Sequence, residues 1–142
     1  MTQFQMIIDF MEQKVPFNSL LQIKILILRE GFCKVRVPWN PSFVGDPDRE
    51  AVHGGVIASL IDVVGGAAAM TCLDEAQKLS TLNLRIDYFR PGPTKPMLCE
   101  AQVVHRSNTV CHVAMKLYAE TQELKVIAKG QAIYSLARPK KI

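Results

Sequence analysis

The sequence predicts an α+β fold in which an antiparallel sheet of about six strands wraps around one long central helix. Three observations predict it. Several segments of eight or more residues alternate between apolar and polar side chains, which is typical of half-buried strands. Short links separate the later segments, and short links favour antiparallel neighbours. One segment, from about residue 54 to 73, is apolar nearly all round, as a helix buried on several sides would be.

The bulk composition indicates a single globular domain. The chain has 142 residues, of which 49% are hydrophobic and 21% charged, and this suits one domain over residues 1–142. The net charge of +4 is mild and no nucleic-acid-binding pattern accompanies it, so we expect no nucleic-acid partner. We expect no membrane span, since no apolar run reaches the roughly eighteen residues that a span needs. The first residues fit neither a secretory signal nor a transit peptide, so we expect a cytoplasmic location.

The N-terminal third predicts a short helix and a hairpin. Apolar residues at helical spacing predict an amphipathic helix over residues 3–13, which we expect Pro16 to end: Phe4, Ile7, Ile8 and Met11. Residues 20–30 alternate as a half-buried strand does, with Leu21, Ile23, Ile25 and Ile27 facing inward. A turn at Gly31 and a second alternating segment over 32–39 complete the hairpin. Residues 40–52, rich in proline and acids, are predicted to be a loop.

Four further strands are predicted after the long helix, over residues 80–90, 96–106, 110–120 and 124–137. The links between them are PGPTK, SNT and TQE, so we expect consecutive strands to be antiparallel neighbours. One helix against one sheet leaves a face of this layer pair uncovered. We therefore expect self-association as a homodimer or a homotetramer.

The four cysteines predict no metal site. Cys33, Cys72, Cys99 and Cys111 are far apart and form no CxxC pair, so we interpret them as reduced thiols of the core. Cys111 precedes His112, but adjacent residues of a strand face opposite sides of the sheet. A cysteine–histidine nucleophilic pair is therefore not expected at this position.

Two motifs carry a family resemblance. The first is HGGxIxxLxD, formed by His53, Gly54, Gly55, Ile57, Leu60 and Asp62, and the second is STLNLRIDYFRP at residues 80–91. In this order and spacing they resemble the hotdog acyl-CoA thioesterases of the phenylacetate-degradation type, and the likeness covers residues 16 to 136. The resemblance implies a hotdog fold and hydrolysis of acyl-CoA thioesters to free acid and coenzyme A. It implies no metal and no cofactor, since coenzyme A enters as part of the substrate.

The start of the long helix is the predicted oxyanion site. The first N–H groups of a helix lack intrahelical partners and its dipole favours an anion, and a glycine lets a carbonyl approach closely. The resemblance implies that the Gly54 N–H is the oxyanion donor and that His53 braces the site. It also places Thr81 where the family often has a Ser or Thr that holds the water or the acid. The alternatives are that both glycines only permit a tight turn and that Thr81 faces solvent.

Asp62 is the predicted base or nucleophile. An acid among apolar helical residues is costly unless it is paired, solvated or used. It follows Gly54 by eight residues, which is about 12 Å along a helix, so one carbonyl cannot touch both residues in one chain. If both are catalytic, two helices must pack antiparallel across a two-fold axis and share the site. The alternative is a satisfied buried acid at a subunit contact.

Substrate binding is predicted from charge and apolar surface. Gly55, Arg90, Arg106 and Ser107 are the candidate substrate-binding residues, since coenzyme A phosphates need Arg or Lys near the pocket; solvated strand ends are the alternative. The acyl chain is expected along the long helix, lined by residues of the first helix or by Ile57, Ile61, Val64 and Met70. Pro47 stands where some family members carry an amide side chain, so a water, Asn40 or no group at all takes the place of that amide.

Three other functions stay open at this point. A hotdog domain that binds acyl-CoA without catalysis would use the same fold, and so would a hotdog dehydratase. The dehydratases would be expected to show a HFPGxPxxPG-like motif, which this sequence lacks. An interaction or scaffold dimer would leave Asp62 unexplained. The acid at the family's helical position favours the enzyme.

Overall fold

The computed structural model describes residues 1–74 and 77–138. Its helices are α1 (Gln3–Asp9), α2 (Pro16–Leu21) and α3 (Gly54–Met70), with a π-helical turn at Phe10–Lys14 and a 3-10 turn at Pro41–Phe43. Its strands are β1 (Lys24–Arg29), β2 (Phe32–Val37), β3 (Val44–Asp46), β4 (Ala51–Val52), β5 (Ser80–Tyr88), β6 (Met97–Arg106), β7 (Val110–Ala119) and β8 (Val126–Ser135).

Six of these strands form one antiparallel sheet that wraps around α3. The strand order is β1-β2-β6-β7-β8-β5, and β3 and β4 form a separate small pair. Ile57, Leu60, Ile61 and Val64 of α3 are at most 2% exposed and pack against the inner face of the sheet. The predicted α+β hotdog fold is confirmed.

Close contact between α3 and the sheet depends on a glycine of β8. A Cβ atom at Gly130 would lie 2.5 Å from Cγ2 of Ile61, which is closer than real side chains approach. Small residues of α3 itself, Ala67, Ala68 and Ala69, are also fully packed in the core. The glycine of the sheet makes room for Ile61, and the small residues of α3 let the rest of the helix lie close to the strands.

The N-terminal segment is more helical than predicted. Helix α1 ends at Asp9 and a π-helical turn follows, but Pro16 begins α2 instead of ending a helix. Proline suits the first position of a helix because its missing N–H would have no intrahelical acceptor there. Leu21, predicted to start a strand, is the last residue of α2, and Gln22 leaves the helix with a left-handed φ of 56°.

The first hairpin is confirmed, but the side chains that face inward change partway along β1. Strands β1 and β2 pair, and Gly31 supplies the positive φ of 75° at the turn between them. A bulge between Ile25 and Ile27 then reverses the alternation, so that Ile27 is 41% exposed and Leu28 packs toward the core. An extra residue in one strand has this effect because side chains alternate with a period of two.

The segment predicted as a loop at residues 40–52 contains the 3-10 turn and the β3–β4 pair. Phe43 and Val52 are buried, and the β3 backbone lies against the residue that precedes α3. A Cβ atom at Gly45 would be 2.6 Å from Cα of His53. The segment therefore supports the start of the central helix.

The predicted pairing of β5 with β6 is wrong. Strand β5 pairs with β8 at one edge of the sheet, whereas β6 lies between β2 and β7. The eight residues 89–96 connect them. They can reach about 26 Å when extended, and three strand spacings amount to only about 14 Å. The shorter links after β6 and β7 do join neighbours, as predicted.

The remaining predictions concern the end of α3, the cysteines, a metal site and a membrane span. Helix α3 ends at Met70, three residues earlier than predicted. Cys33, Cys99 and Cys111 are buried free thiols, and Cys72 is a half-buried one. Within residues 1–74 and 77–138, no group of three or more His, Cys, Asp or Glu side chains is placed to hold a metal ion. No helix in the same ranges is long and apolar enough to cross a membrane.

Candidate active site

The first turn of α3 presents an unengaged backbone amide. His53 is the N-cap, and its Nδ1 accepts a hydrogen bond from the Gly55 N–H at 2.8 Å. The Val56 N–H donates to the His53 carbonyl at 2.9 Å. Among the described residues, no hydrogen bond uses the Gly54 N–H. Since Nδ1 accepts, a neutral His53 carries its proton on Nε2, and the Gly54 amide is left for a ligand.

Glycine occupies the two positions of this turn for different structural reasons. A Cβ atom at Gly55 would lie 2.9 Å from Nδ1 of His53, so glycine is required there for the histidine cap. At Gly54 a Cβ atom would lie 3.7 Å from the Tyr88 ring, which is an ordinary contact. The Tyr88 hydroxyl donates to the Gly54 carbonyl at 3.1 Å. The predicted substrate-binding role of Gly55 stays a prediction, since its N–H is engaged by His53.

A cavity of about 470 Å³ opens at this end of α3, and one of its lining residues is an arginine that was predicted to bind the coenzyme A phosphates. Arg90 lines it, together with Arg49, which the sequence did not single out. Arg49 Nε lies 2.6 Å from Oδ2 of Asp46, and this contact holds the pKa of Asp46 below its ordinary value. No ion pair among the described residues involves Arg90. Asn40, a candidate replacement for the family amide, accepts a hydrogen bond from the Ser42 N–H through its Oδ1.

Asp62 is held by two hydroxyl groups. Thr81 Oγ1 donates to Asp62 Oδ1 at 2.9 Å, so the predicted contact between this strand residue and the acid is present. The Tyr134 hydroxyl lies 2.8 Å from the Asp62 carbonyl oxygen and 3.2 Å from Oδ1. Burial, and next the charge of Asp62, raise the pKa of Tyr134 above its ordinary value, so the phenol stays protonated. A half-buried acid and two donors thus form one cluster.

Sequence reasoning missed Tyr134. Thr81 and Tyr134 are directly opposite each other in the β5–β8 register, and a bulge at Leu82 follows the pair. Residues opposite each other share a face of the sheet, which here is the face toward α3. One signal was available: Tyr134 continues the inward-facing series Ala128, Gly130, Ala132, and a buried tyrosine hydroxyl needs a partner.

A second cavity, of about 520 Å³, lies beside Asp62 and is mainly apolar. Its apolar walls come from the N-terminal segment and from α3: Phe10, Met11, Val15, Val63 and Met70. Of the predicted acyl-chain residues, Met70 and the N-terminal segment therefore line this cavity. Ile57 lines the cavity near Gly54 instead, and Ile61 and Val64 are buried in the core.

Arg106 and Ser107 lie apart from both cavities. They line a third one, of about 570 Å³, at the C-terminal end of α3. Arg106 Nη1 donates to the Cys72 carbonyl at 3.4 Å, beyond the last turn of the helix. The structure therefore brings Arg90, but neither Arg106 nor Ser107, to the cavity at Gly54.

The family profile described as Thioesterase superfamily matches residues 50–126, which include α3 and strands β5 to β7. This match covers more than half of the chain. The six-stranded sheet around α3 is a hotdog fold, and the family match assigns the protein to the thioester hydrolases. The chain belongs to the thioesterase superfamily.

Named relatives agree with this assignment. The chain is 29% identical over 136 residues to the medium/long-chain acyl-CoA thioesterase YigI of Escherichia coli, and the match covers 84% of each chain. A solved Shewanella oneidensis protein related to the thioesterase superfamily is 27% identical, with a TM-score of 0.83 over 94% of this chain and 95% of that one. The Escherichia coli PaaI protein from the phenylacetic acid degradation operon shares the fold, at 21% identity and a TM-score of 0.81, over 94% of this chain and 93% of that one.

Proposed function

We propose that this protein hydrolyses acyl-CoA thioesters to the free acid and coenzyme A. The Gly54 N–H of one chain binds the oxyanion, and Asp62 of a second chain is the base or the nucleophile. The observation that carries the proposal is that one helix holds two suitable groups. A backbone amide at its start is unengaged, and an acid further along accepts hydrogen bonds from two hydroxyl groups. His53 keeps the first turn in place through its bond to Gly55.

The spacing of the two groups supports a shared site. Eight helical residues separate Gly54 from Asp62, or about 12 Å, whereas a thioester carbonyl needs both within about 3 Å. Among the described residues, the two cavities have no lining residue in common. Each chain therefore offers two half-sites, and two chains are needed to complete one site.

Strand β5 supplies a way to join the half-sites. Thr81 at its start contacts Asp62, and Tyr88 at its end contacts Gly54. Its outer edge has no partner among the described residues, and Leu82, Tyr88 and Phe89 there are more than half exposed. Antiparallel pairing of this edge with a second copy brings Thr81 of one chain beside Tyr88 of the other. That arrangement places Gly54 near the second chain's Asp62.

Two routes are compatible with this geometry. In the first, the Asp62 carboxylate attacks the thioester carbonyl, the C–S bond breaks and coenzyme A leaves as the thiolate. Water then hydrolyses the mixed anhydride, which releases the product acid, regenerates the Asp62 carboxylate and supplies the proton that the thiolate takes up. In the second, Asp62 takes a proton from water as the water attacks, and the proton passes to the departing sulfur. In both, the Gly54 N–H stabilises the oxyanion of the tetrahedral intermediate.

The substrate assignment follows the lining of the two cavities. The apolar cavity at Asp62 suits an aliphatic acyl chain, and the named YigI relatives act on medium- and long-chain acyl-CoA. Arg90 and Arg49 suit the coenzyme A phosphates at the cavity near Gly54. Arg106 and Ser107 lie at the far end of the helix, so we assign the phosphates to Arg90 first.

A thiol-release assay over acyl-CoA substrates of increasing chain length tests the proposal. We expect release by the wild type and a loss of about 100- to 10,000-fold in Asp62→Asn, which keeps the side-chain shape but removes the base. Glu123→Gln, which likewise exchanges a carboxylate for an amide, is the control, because Glu123 is exposed in the turn between β7 and β8 and lines neither cavity. Acyl-CoA binding without thiol release would instead favour the non-catalytic alternative.

A further inference from the structure

The Asp62 carboxylate is engaged through one of its two oxygens. Thr81 Oγ1 donates to Oδ1 at 2.9 Å, and the Tyr134 hydroxyl lies 3.2 Å from the same atom. None of the hydrogen bonds among the described residues involves Oδ2. When two donors engage one carboxylate oxygen, the lone pairs of the other oxygen stay available to a reacting group.

We propose that Tyr134 is a positioning residue which, with Thr81, holds Oδ1 of Asp62, so that Oδ2 is the reacting oxygen. Oδ2 then attacks the thioester carbonyl or accepts the proton of the attacking water. This inference rests on the proposed function, because it assigns roles to the two oxygens of the same acid.

Tyr134 is itself rigidly placed. It is 1% exposed, and its hydroxyl lies within hydrogen-bond distance of both the Asp62 carbonyl oxygen, at 2.8 Å, and Oδ1, at 3.2 Å. The tyrosine therefore ties the carboxylate to the backbone of its own helix, which reduces the freedom of the side chain.

A glycine of α3 makes room for this hydroxyl. A Cβ atom at Gly65 would lie 2.4 Å from the Tyr134 hydroxyl oxygen, so any side chain there displaces the ring. At the next residue, Gly66, a Cβ atom would lie no closer than 3.4 Å to a neighbouring side chain and 3.8 Å from the Tyr134 ring. The two adjacent glycines therefore provide a matched pair of substitutions.

Few other charges face the acid. The titratable residues that line the cavity at Asp62, among those described, are Asp62, Tyr134 and Lys78. The N-terminal segment contributes Phe10, Met11, Val15 and Asn18, none of which titrates. A change in the NMR signal of the Asp62 carboxyl group on removing the tyrosine hydroxyl can thus be assigned to the lost hydrogen bond.

The test is Tyr134→Phe, measured by the carbon NMR chemical shift of the Asp62 carboxyl group and by kcat and KM in the thiol-release assay. Losing a donor to Oδ1 should move the carboxyl signal away from its wild-type position. The value of kcat should fall roughly tenfold with little change in KM, as expected for lost orientation.

Gly65→Ala should reproduce this change of the carboxyl signal by displacing the tyrosine, and Gly66→Ala should leave the signal at its wild-type position. An unmoved carboxyl signal in both Tyr134→Phe and Gly65→Ala overturns the inference, and so does a wild-type kcat in Tyr134→Phe. A changed signal in a protein that releases thiol from no acyl-CoA contradicts the proposed function and, with it, the reacting role of Oδ2, but leaves the hydrogen bond to Oδ1 standing.

Discussion

At the scale of single residues, the two adjacent glycines at the start of α3 meet different structural requirements. Gly55 is a glycine because the His53 ring occupies the space of its side chain. Gly54 has room for a Cβ atom and an N–H without a partner among the described residues, so its importance lies in the amide and in access to it. The two positions should therefore respond differently to substitution.

Gly54→Pro tests the amide directly. Gly54 is the first residue of α3, where proline is well tolerated, and His53 already has the extended backbone that precedes proline, with φ −59° and ψ 130°. The substitution removes the N–H and should lower kcat by about 100- to 1,000-fold, as for other oxyanion donors. Gly54→Ala, which keeps the N–H, is the control and should lose much less. Equal kcat values for the two variants in the thiol-release assay would contradict the assignment.

At the scale of elements, the N-terminal segment forms one wall of the cavity beside Asp62. The π-helical turn carries Phe10 and Met11 toward the cavity, and Val15 follows at the junction with α2. A π-helical turn inside a helical segment is rare and often lies at a functional site. This segment is therefore the element that should set the accepted acyl length.

Val15→Phe should shorten the cavity and shift preference toward shorter acyl chains. The expected result is a decrease of roughly tenfold in kcat/KM for long-chain substrates, with short-chain substrates much less affected, because a few methylenes in a pocket are worth about that much. The measurement is kcat/KM over a series of acyl-CoA lengths. Leu20→Phe on α2, at a site 72% exposed, is the control. A chain-length profile identical in both variants would mean that the acyl chain binds elsewhere.

At the scale of the whole molecule, activity should belong to a pair of chains. Asp62→Asn and Gly54→Pro each inactivate both sites of a homodimer. A mixed dimer, however, keeps one intact site, which combines Gly54 of the first variant with Asp62 of the second. After subunit exchange, an equal mixture should regain about a quarter of wild-type activity, since half of the dimers are mixed and each has one working site.

Thiol release after mixing measures this complementation, and native mass spectrometry of chains with different tags establishes the exchange. Each variant mixed with a tagged copy of itself is the control and should stay inactive. Exchange without recovered activity would show that the site is not shared between Gly54 and Asp62 in this way.

Local periodicity determined the class of fold, the position of α3 and Asp62 as an unusual acid, and the resemblance to a thioesterase family added His53, Gly54 and Thr81 as site candidates. These features are readable because a helix start, a buried acid and an alternating strand each leave a pattern within a few residues. The catalytic roles of those residues and the substrate-binding roles of Arg90, Arg106 and Ser107 stay predictions.

Only the tertiary structure decided which distant residues meet. Tyr134 reaches Asp62 across 72 positions of sequence because β5 pairs with β8 and the register places Thr81 opposite Tyr134. Link length suggested β6 as the neighbour of β5, but the partner of a strand depends on how all six strands share one sheet around the helix. The bulges after Ile25 and Thr81 are likewise set by contacts across strands. Such contacts leave no local pattern, since each depends on a partner that folding alone brings near.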